Sequence, residues 1–551
     1  MSIPALPTLD DARELLAGAD ALLGGALDRA RAITKNGAAI DDHQVLSERV
    51  AYAATEARAA HELVEYAARV AAEGRGDAWL QATAAAGAAE LVASLVARLT
   101  PALDDLGLGD AALESAFPAA LRKKLRAASN EAVFRAIGRE VAGRRGRNET
   151  PLDEVMEQVR SSVREFAEKE IAPHAERIHR HDELIPEEFI AKMAELGFFG
   201  MSVPEEYGGT EMGNLAMILT TEELSRCSLA GAGSLITRPE ILTKALMAGG
   251  TEEQKKHWLP KIAAGELMVG ISVTEPDIGS DVAGVKCRAD RKTVGGVDGF
   301  VVNGPKSWCT FAGRANVLAL LARTDPDMSK GPKGLSLFIV EKEADRGHAF
   351  ECTQPTGGKM SGKADATIGY RGMHSYTLQL ENWFVPAANL VGGEGGLGKG
   401  FYLQMGGFAA GRLQTGGRAC GLAQAALEKA CEYVLDRVQF GKATVEYGLT
   451  QFMIGKMAAK LAAARAITYA AALAMDEDER RAAPLAAQAK LLSCDIAVAI
   501  SQDAQLLHGG WGYAEEYAIS RYAVDALVLP IFEGVKPILE LKVVARNLLA
   551  E

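Results

Sequence analysis

One acidic residue stands in a largely apolar stretch near the end of the chain. The stretch "LPIFEGVKPILE" (529–540) places Glu533 between Phe532 and Gly534. A carboxylate in such surroundings is solvated, paired with a cation, or held for use as a base. Burial raises the pKa of a carboxylate toward neutrality, which suits the removal of a proton from a weak carbon acid. Glu533 is therefore the first candidate for general-base chemistry.

Two earlier segments combine hydroxyls, glycines and an aromatic ring. "ISVTEPDIGSD" (271–281) couples a predicted strand to a loop that can offer backbone N–H groups and two hydroxyls, those of Thr274 and Ser280. In the second segment Trp308 and Thr310 are two residues apart, so on a strand they face the same side. The pair suits a planar heterocycle that needs both stacking and an edge hydrogen bond, although a strand Trp more often belongs to the core.

The elements that must position these residues follow from the hydrophobic pattern. Residues 1–148 are rich in Ala and have apolar positions at helical spacing, and 149–267 continue in the same way. Residues 268–395 contain short β-rich runs bounded by Gly, Pro and Asp, whereas 396–551 return to long helices. The chain is thus predicted to be mostly α with a central, barrel-like β domain (an α+β fold), and an extra helical block precedes it.

Composition narrows the class of protein. A chain of 551 residues with 48% hydrophobic and 24% charged residues is typical of a multidomain soluble protein. A net charge of −12 disfavours nucleic acid as a partner. No uninterrupted apolar run approaches the ~18 residues of a membrane span, and no signal peptide is evident. The seven cysteines are scattered without a CxxC pair, which favours reduced thiols in the cytoplasm and indicates no metal site.

Several ordered motifs between residues 151 and 551 resemble the acyl-CoA dehydrogenase family. The family implies a helical domain, a β domain and a C-terminal four-helix bundle, with FAD bound between them. The matching motifs include the two segments described above, the "FEG" that contains Glu533, and the following stretches: "FAEKEIAPHAE" (166–176), "LGFFGMSVPEEYGG" (196–209), "GTEEQKKHWLPKIAAGE" (250–266), "RVQFGK" (437–442) and "QLLHGGWGY" (505–513).

The resemblance assigns each candidate residue a role. The residues expected to line the flavin ring are Ile271, Val273, Thr274, Trp308 and Thr310. Those expected on the pyrophosphate and adenosine side of FAD, in part from a neighbouring subunit, are Arg437, Phe440, Gln505, Gly509 and Gly510. Arg forms a planar fork for diphosphate, and glycine lets the backbone approach it closely. The substrate-side residues are Ser280 near the CoA arm, Arg412 and Arg238.

Glu533 falls where most members of the family carry their catalytic base. In those members the base removes the α-proton of an acyl thioester, and a hydride passes from the β-carbon to FAD. Other members carry the base just before an Arg of a C-terminal helix, where this chain has Gly411, which has no carboxylate. Some local contacts must differ, because Gly448 replaces a common Gln, and Val535 and Pro537 replace a common Thr and Gln.

The helical block in front, including residues 34–64, resembles members of the family that act on a dicarboxylic thioester. The resemblance implies oxidation of (2S)-methylsuccinyl-CoA to mesaconyl-CoA in the ethylmalonyl-CoA pathway. Such a substrate needs a fixed cation for its second carboxylate, and we hypothesise that Arg238 supplies it. The alternative for Arg238 is an ordinary surface ion pair. Oxidation of another short branched substrate, such as isovaleryl-CoA, is the alternative activity.

The resemblance also implies partners. Electron-transferring flavoprotein is the expected electron acceptor, with oxygen as the alternative. Gln44 and Arg58 stand fourteen residues apart, as Gln451 and Arg465 do, which suggests that the front block is a degenerate copy of the C-terminal bundle. Such a block could take the place of a second dimer and leave a homodimer. A non-catalytic helical scaffold is the alternative from a different class, and it would carry no flavin.

Overall fold

The computed structural model describes residues 5–550, which form two compact units. One unit combines Met1–Ser161 with Thr415–Glu551, and the other is Ser162–Gln414. The boundaries fall inside two helices, α7 (Glu154–Phe166) and α13 (Gly400–Asp436). The structure confirms a mostly helical fold with one central sheet.

The first unit contains the N-terminal block. Its helices in the described residues are α1 (Leu9–Ile33), α2 (Gln44–Ala72), α3 (Ala78–Leu99), α4 (Gly109–Ala116), α5 (Ala119–Ala128) and α6 (Glu131–Gly143). Helix α1 begins with a capping box, in which Thr8 and Asp11 bond each other's backbone N–H groups. Ala and Leu at three- and four-residue spacing give α1 and α2 a continuous buried face.

The same unit holds the C-terminal helices. They are the second half of α13, then α14 (Gly448–Glu477), α15 (Glu479–Leu507), α16 (Ile519–Ala526), α17 (Lys536–Ile538) and α18 (Arg546–Ala550). A π-helical segment, Leu539–Ala545, joins the last two. A short hairpin, β9 (Val438–Gln439) and β10 (Lys442–Ala443), follows α13.

Helix α6 of the N-terminal block crosses α14 at van der Waals distance. A Cβ at Gly138 would lie 1.8 Å from the Gln451 carbonyl oxygen, and one at Gly455 would lie 2.0 Å from the Phe134 carbonyl oxygen. Only glycine allows two backbones to approach this closely. The block is therefore an integral part of the first unit.

The two Gln–Arg pairs with fourteen-residue spacing make different contacts. Gln44 and Arg58 bond only nearby acidic side chains on the surface. Gln451 and Arg465 are buried, and Arg465 donates to the Asn148 carbonyl and the Gln424 side chain. Shared spacing without shared contacts gives no structural support to a common origin of the two blocks.

The second unit begins with helices and continues into the sheet. Its helices before the sheet are α8 (Ala172–Arg180), α9 (Glu187–Glu195), α10 (Gly213–Cys227), α11 (Thr237–Gly249) and α12 (Glu252–Ala263). Thr251 and Gln254 form a capping box at the start of α12. The side-chain amide of Gln254 also donates to the carbonyls of Ala388 and Leu390, which ties α12 to the end of the sheet domain.

The sheet has eight strands in the order β1-β4-β2-β3-β8-β7-β6, and β5 also pairs with β4. The strands are β1 (Val269–Ser272), β2 (Arg288–Val294), β3 (Val297–Thr310), β4 (Val317–Arg323), β5 (Leu335–Glu341), β6 (Ala349–Thr353), β7 (Lys359–Ala364) and β8 (Ser375–Pro386). Strands β4 and β5 are buried on both faces, which explains their near-continuous apolar sequences.

Three helical stretches are long and apolar enough to cross a membrane by length and composition alone. They are Ala78–Ala102, Gly448–Glu477 and Glu479–Leu507. More than half of the apolar window of each is buried within the protein. Packing inside a helical unit accounts for their composition.

Candidate active site

The end of β1 and the loop that follows it carry three of the residues expected at the flavin. Ile271 is half-buried near the end of β1, Val273 is buried and Thr274 is half-buried. Lys306 fixes this loop from β3, since its Nζ donates to the Val273 carbonyl at 2.9 Å and pairs with Glu275 Oε1 at 3.1 Å. Both charged groups are buried, so their pairing is required.

Trp308 is presented by an irregularity in β3. The register of β3 against β8 shifts between Lys306 and Cys309, and Trp308 has a φ of +57°. The expected regular strand is therefore wrong at this point, and a bulge re-aims the side chain. Trp308 is 60% exposed, and the Thr310 hydroxyl lies 2.9 Å from that of Ser375. The exposed Trp308 ring offers a surface on which a planar heterocycle could stack.

The neighbouring Cys309 takes no part in nucleophilic chemistry. Burial raises the pKa of its thiol to about 12, so it stays protonated at neutral pH. Ser280 is exposed in the loop after β1, and Arg412 is half-buried on α13.

Arg238 is a buried cation on α11. Its side chain is 4% exposed, and its Nη1 donates to the Ser234 carbonyl at 3.1 Å. It forms no ion pair with any acidic side chain of residues 5–550. The alternative of a surface ion pair is therefore wrong. A guanidinium has five N–H donors, and only one of those of Arg238 has an acceptor named above. The other donors remain for an anion that comes from outside the second unit.

A cleft in the first unit unites three of the residues expected on the adenosine side of FAD. Arg437, Gly509 and Gly510 line a cleft with a volume of about 570 Å³. The cleft is also lined by Tyr433, Gln439, Thr444, Leu506, Leu507, His508, Trp511 and Ala514. A Cβ at either glycine would meet no atom within 4 Å, so the cleft is open there. Gln505 lies at its edge, where its amide donates to the Gly512 carbonyl.

The pair Tyr433 and His508 forms an aromatic wall that the sequence analysis missed. Their rings stack at a centroid distance of 4.4 Å and an interplanar angle of 26°. Burial lowers the pKa of His508, so the imidazole is neutral at pH 7 and Arg437 supplies the positive charge. The sequence feature that could have indicated His508 is the "HGG" motif directly after a long helix.

Phe440 lies on the turn of the β9–β10 hairpin, outside the cleft lining. It is 96% exposed and has a φ of +51°. A bare aromatic ring in a strained turn indicates a surface that is covered by a ligand or another protein. Gly448, where relatives often have Gln, faces Arg135 of the N-terminal block, whose guanidinium carbon lies 3.1 Å from a Cβ placed there.

Glu533 lies in the loop between α16 and α17. It is half-buried and has a φ of +54°, followed by Gly534 at +102°. Lys490, itself buried, donates from its Nζ to the Gly534 carbonyl at 2.5 Å. The guanidinium of Arg418 lies over the Phe532 ring at 4.6 Å. The expected apolar setting is therefore wrong in part, because two buried cations hold the loop. The sequence feature that could have indicated Lys490 is a single Lys in the largely apolar run around residue 490.

The second unit contains a cluster of titratable side chains away from the residues discussed so far. Asp182, His348 and His374 offer ligand atoms within 4.8 Å of one another. Arg371 Nε lies 3.4 Å from the same Asp182 oxygen that faces His374 at 3.1 Å. The guanidinium already supplies the countercharge, so we interpret the cluster as an ion-pair network.

Comparison with known proteins defines the class. Residues 153–266 match the acyl-CoA dehydrogenase N-terminal domain, residues 270–383 the middle domain and residues 398–549 the C-terminal domain. The chain belongs to the acyl-CoA dehydrogenase family and is an FAD-dependent oxidoreductase.

Two relatives illustrate the similarity. A (2S)-methylsuccinyl-CoA dehydrogenase of Cereibacter sphaeroides is 40% identical over 448 residues, which cover 80% of this chain and 78% of the relative. An acyl-CoA dehydrogenase of Bacillus subtilis (strain 168) is 36% identical and covers 69% of this chain and 94% of the relative. The first match covers more of this chain than the three family domains do.

Solved structures agree. A glutaryl-CoA dehydrogenase in complex with glutaryl-CoA has a TM-score of 0.66 at 30% identity and covers 73% of this chain and 97% of that one. Butyryl-CoA dehydrogenase from Megasphaera elsdenii has a TM-score of 0.65 at 28% identity and covers 73% and 100%. A structure described as the electron transferring flavoprotein of Acidaminococcus fermentans has a TM-score of 0.66 at 31% identity and covers 73% and 100%.

The residues present fit FAD. The exposed Trp308 provides a stacking surface, and the open cleft with Arg437 and its two glycines suits the charged, adenosine-bearing end of the cofactor.

Proposed function

We propose that this enzyme oxidises a short, branched, dicarboxylic acyl-CoA, namely (2S)-methylsuccinyl-CoA to mesaconyl-CoA, as a step of the ethylmalonyl-CoA pathway. The observation that carries the choice of substrate is Arg238. The similarity to the Cereibacter sphaeroides enzyme supports the same choice.

The physical argument rests on the cost of burying a charge. A guanidinium removed from water is unfavourable unless acceptors surround it. Arg238 has the Ser234 carbonyl as its hydrogen-bond acceptor and no carboxylate partner in residues 5–550. A carboxylate on the substrate would supply the missing acceptors and the missing charge. We therefore assign Arg238 to the distal carboxylate, the group that separates this substrate from isovaleryl-CoA.

We assign the proton transfer to Glu533. Its carboxylate takes the α-proton, and its backbone N–H donates to the thioester carbonyl as negative charge develops there. Bound FAD supplies the acceptor for the hydride that leaves the β-carbon, which completes the trans double bond. Lys490 keeps the following carbonyl in place, so both donor and base belong to one restrained turn.

The experiment is anaerobic bleaching of the flavin by methylsuccinyl-CoA. We expect Glu533→Gln to purify yellow, because the FAD residues are untouched, and to bleach at least about 10²-fold more slowly than the parent. Glu477→Gln is the matched control, since it changes an exposed carboxylate at the end of α14 that we do not place in the chemistry. Normal bleaching by Glu533→Gln would show that the base lies elsewhere.

We further propose a cytoplasmic homodimer that passes electrons to electron-transferring flavoprotein. The exposed Phe440 beside the cleft supports contact with a second subunit, and the free cysteines support a reducing compartment. Light scattering tests the dimer, and a comparison of this flavoprotein with oxygen as acceptor tests the electron path. A tetrameric mass or rapid turnover with oxygen would contradict the respective proposal.

A further inference from the structure

Tyr52 of the N-terminal block reaches the C-terminal helices through a carboxylate. Its hydroxyl donates to Asp495 Oδ2 on α15. The same Asp495 oxygen pairs with Lys536 Nζ at 2.5 Å. One carboxylate oxygen thus joins α2 of the block to the first residue of α17.

Lys536 is part of the turn that carries Glu533. Its backbone N–H donates to the Pro530 carbonyl at 2.9 Å and closes the loop around the acidic residue. On the other side, Lys490 holds the Gly534 carbonyl. Lys490 and Asp495 both lie on α15, so one helix braces the turn at two points.

The Tyr52 ring itself contacts two cations. The Arg98 guanidinium lies 4.1 Å from the ring centroid and Lys536 Nζ lies 4.8 Å from it. Arg98 is in turn held by Glu56, whose carboxylate also accepts from the Ser94 hydroxyl at 2.6 Å. The N-terminal block therefore presents a rigid, buried tyrosine to the turn.

The turn needs such support because its conformation is intrinsically unfavourable. Glu533 has a φ of +54°, in the left-handed region that residues with a side chain rarely adopt. A strained residue persists only when the surrounding structure holds it.

We propose that Tyr52 is a positioning residue for the proton transfer, acting through Asp495 and Lys536 on the turn that bears Glu533. This inference rests on the proposed role of Glu533. It gives the N-terminal block a part in catalysis, as the element that holds the base in its reactive position.

The test compares Tyr52→Phe with Tyr66→Phe in the full-length holoenzyme. Both tyrosines belong to α2, and each variant loses one hydroxyl that donates to an acceptor in the first unit. The acceptor of Tyr66 is the Pro151 carbonyl, which takes no part in the Asp495–Lys536 contacts. Both variants should lose similar stability, so Tyr66→Phe corrects for a purely structural effect.

The readout is the rate of flavin reduction after rapid mixing with methylsuccinyl-CoA and with its α-deuterated form. For Tyr52→Phe we expect a rate about 10- to 100-fold lower, because a misplacement of about 1 Å costs this much. We also expect a larger α-deuterium isotope effect, with substrate affinity unchanged. Tyr66→Phe should leave the rate and the isotope effect as in the parent.

Equal rates and equal isotope effects in the two variants would overturn the inference. If Tyr52→Phe does not fold, Asp495→Asn keeps the side-chain shape and removes the charge that holds Lys536, and the same expectations apply to it. If Glu533→Gln bleaches normally, the proposed function itself fails. If Glu533→Gln is inactive and neither Tyr52→Phe nor Asp495→Asn alters the isotope effect, only the positioning role fails.

Discussion

Replacement of Arg238 by Met tests the choice of substrate. Removal of one partner from a buried, hydrogen-bonded charge pair costs about 2–5 kcal/mol. At 1.36 kcal/mol per factor of ten, kcat/KM on methylsuccinyl-CoA should fall by about 30- to 5000-fold. A neutral branched analogue lacks the second carboxylate, so its kcat/KM should change by less than about threefold.

The same substitution has an unusual expected effect on stability. In the ligand-free protein, Arg238 makes a hydrogen bond to the Ser234 carbonyl, worth about 1 kcal/mol. Met removes that bond and also removes a buried charge, whose desolvation costs several kcal/mol. We therefore expect a Tm equal to or above that of the parent, measured without substrate.

Arg323→Met is the matched control. Arg323 is also 4% exposed, but its guanidinium donates to three carbonyls, those of Val285, Ala283 and Gly331. Its loss leaves buried acceptors unpaired, so the Tm should fall while the ratio of the two kcat/KM values stays constant. An equal loss on both substrates in Arg238→Met, or a Tm drop as large as in Arg323→Met, would refute the anion-binding role.

Two further predictions concern the first unit. Gly455→Ala should lower the free energy of unfolding by about 1–3 kcal/mol, and with it the Tm, because its Cβ would lie 2.0 Å from the Phe134 carbonyl oxygen. Gly24→Ala, whose Cβ would lie in open space, should raise the Tm slightly. An equal change in both variants would refute the tight helix crossing. Burial raises the pKa of Glu540 to about 7, so the folded state holds a proton that the unfolded chain releases between the ordinary value near 4.5 and 7. Stability from this group is therefore lost as pH rises through that window, and Glu540→Gln should gain Tm relative to the parent between pH 5 and pH 8; a constant difference would contradict the raised pKa. The charged groups that face Glu540 are Lys536, Glu48, Asp495 and Arg98.

The order of helices and strands follows from local sequence, but the grouping into units does not. Hydrophobic periodicity marks each helix and the β-rich runs mark the sheet, because both patterns are local. The close crossing at Gly138 and Gly455 has no local signal, since glycine within an Ala-rich helix usually only weakens it. The sequence therefore predicts a separate front block, whereas the structure packs it with the C-terminal helices.

At the candidate site, the sequence likewise predicts the residue types but not their arrangement. The residue types around Trp308 and Glu533 indicate their chemistry, but their conformations do not follow from alternation. The register shift in β3 and the left-handed turn at Glu533 both depend on contacts from distant elements, such as the Lys490 bond to Gly534. Long-range contacts of this kind override local preference.

The contacts of each buried cation distinguish cations that stabilise the fold from cations that are available to bind a ligand. Lys306 is paired with Glu275, and Lys490 is bonded to the Gly534 carbonyl. Each is buried with a short contact that fixes a loop, as expected when burial of a charge must be offset by nearby acceptors. Arg238 is also buried, has more donors than either lysine, and lacks an acidic partner in residues 5–550. Because contacts within the fold account for the burial of Lys306 and Lys490, an arginine with donors to spare is most simply explained by an anion that arrives with the substrate.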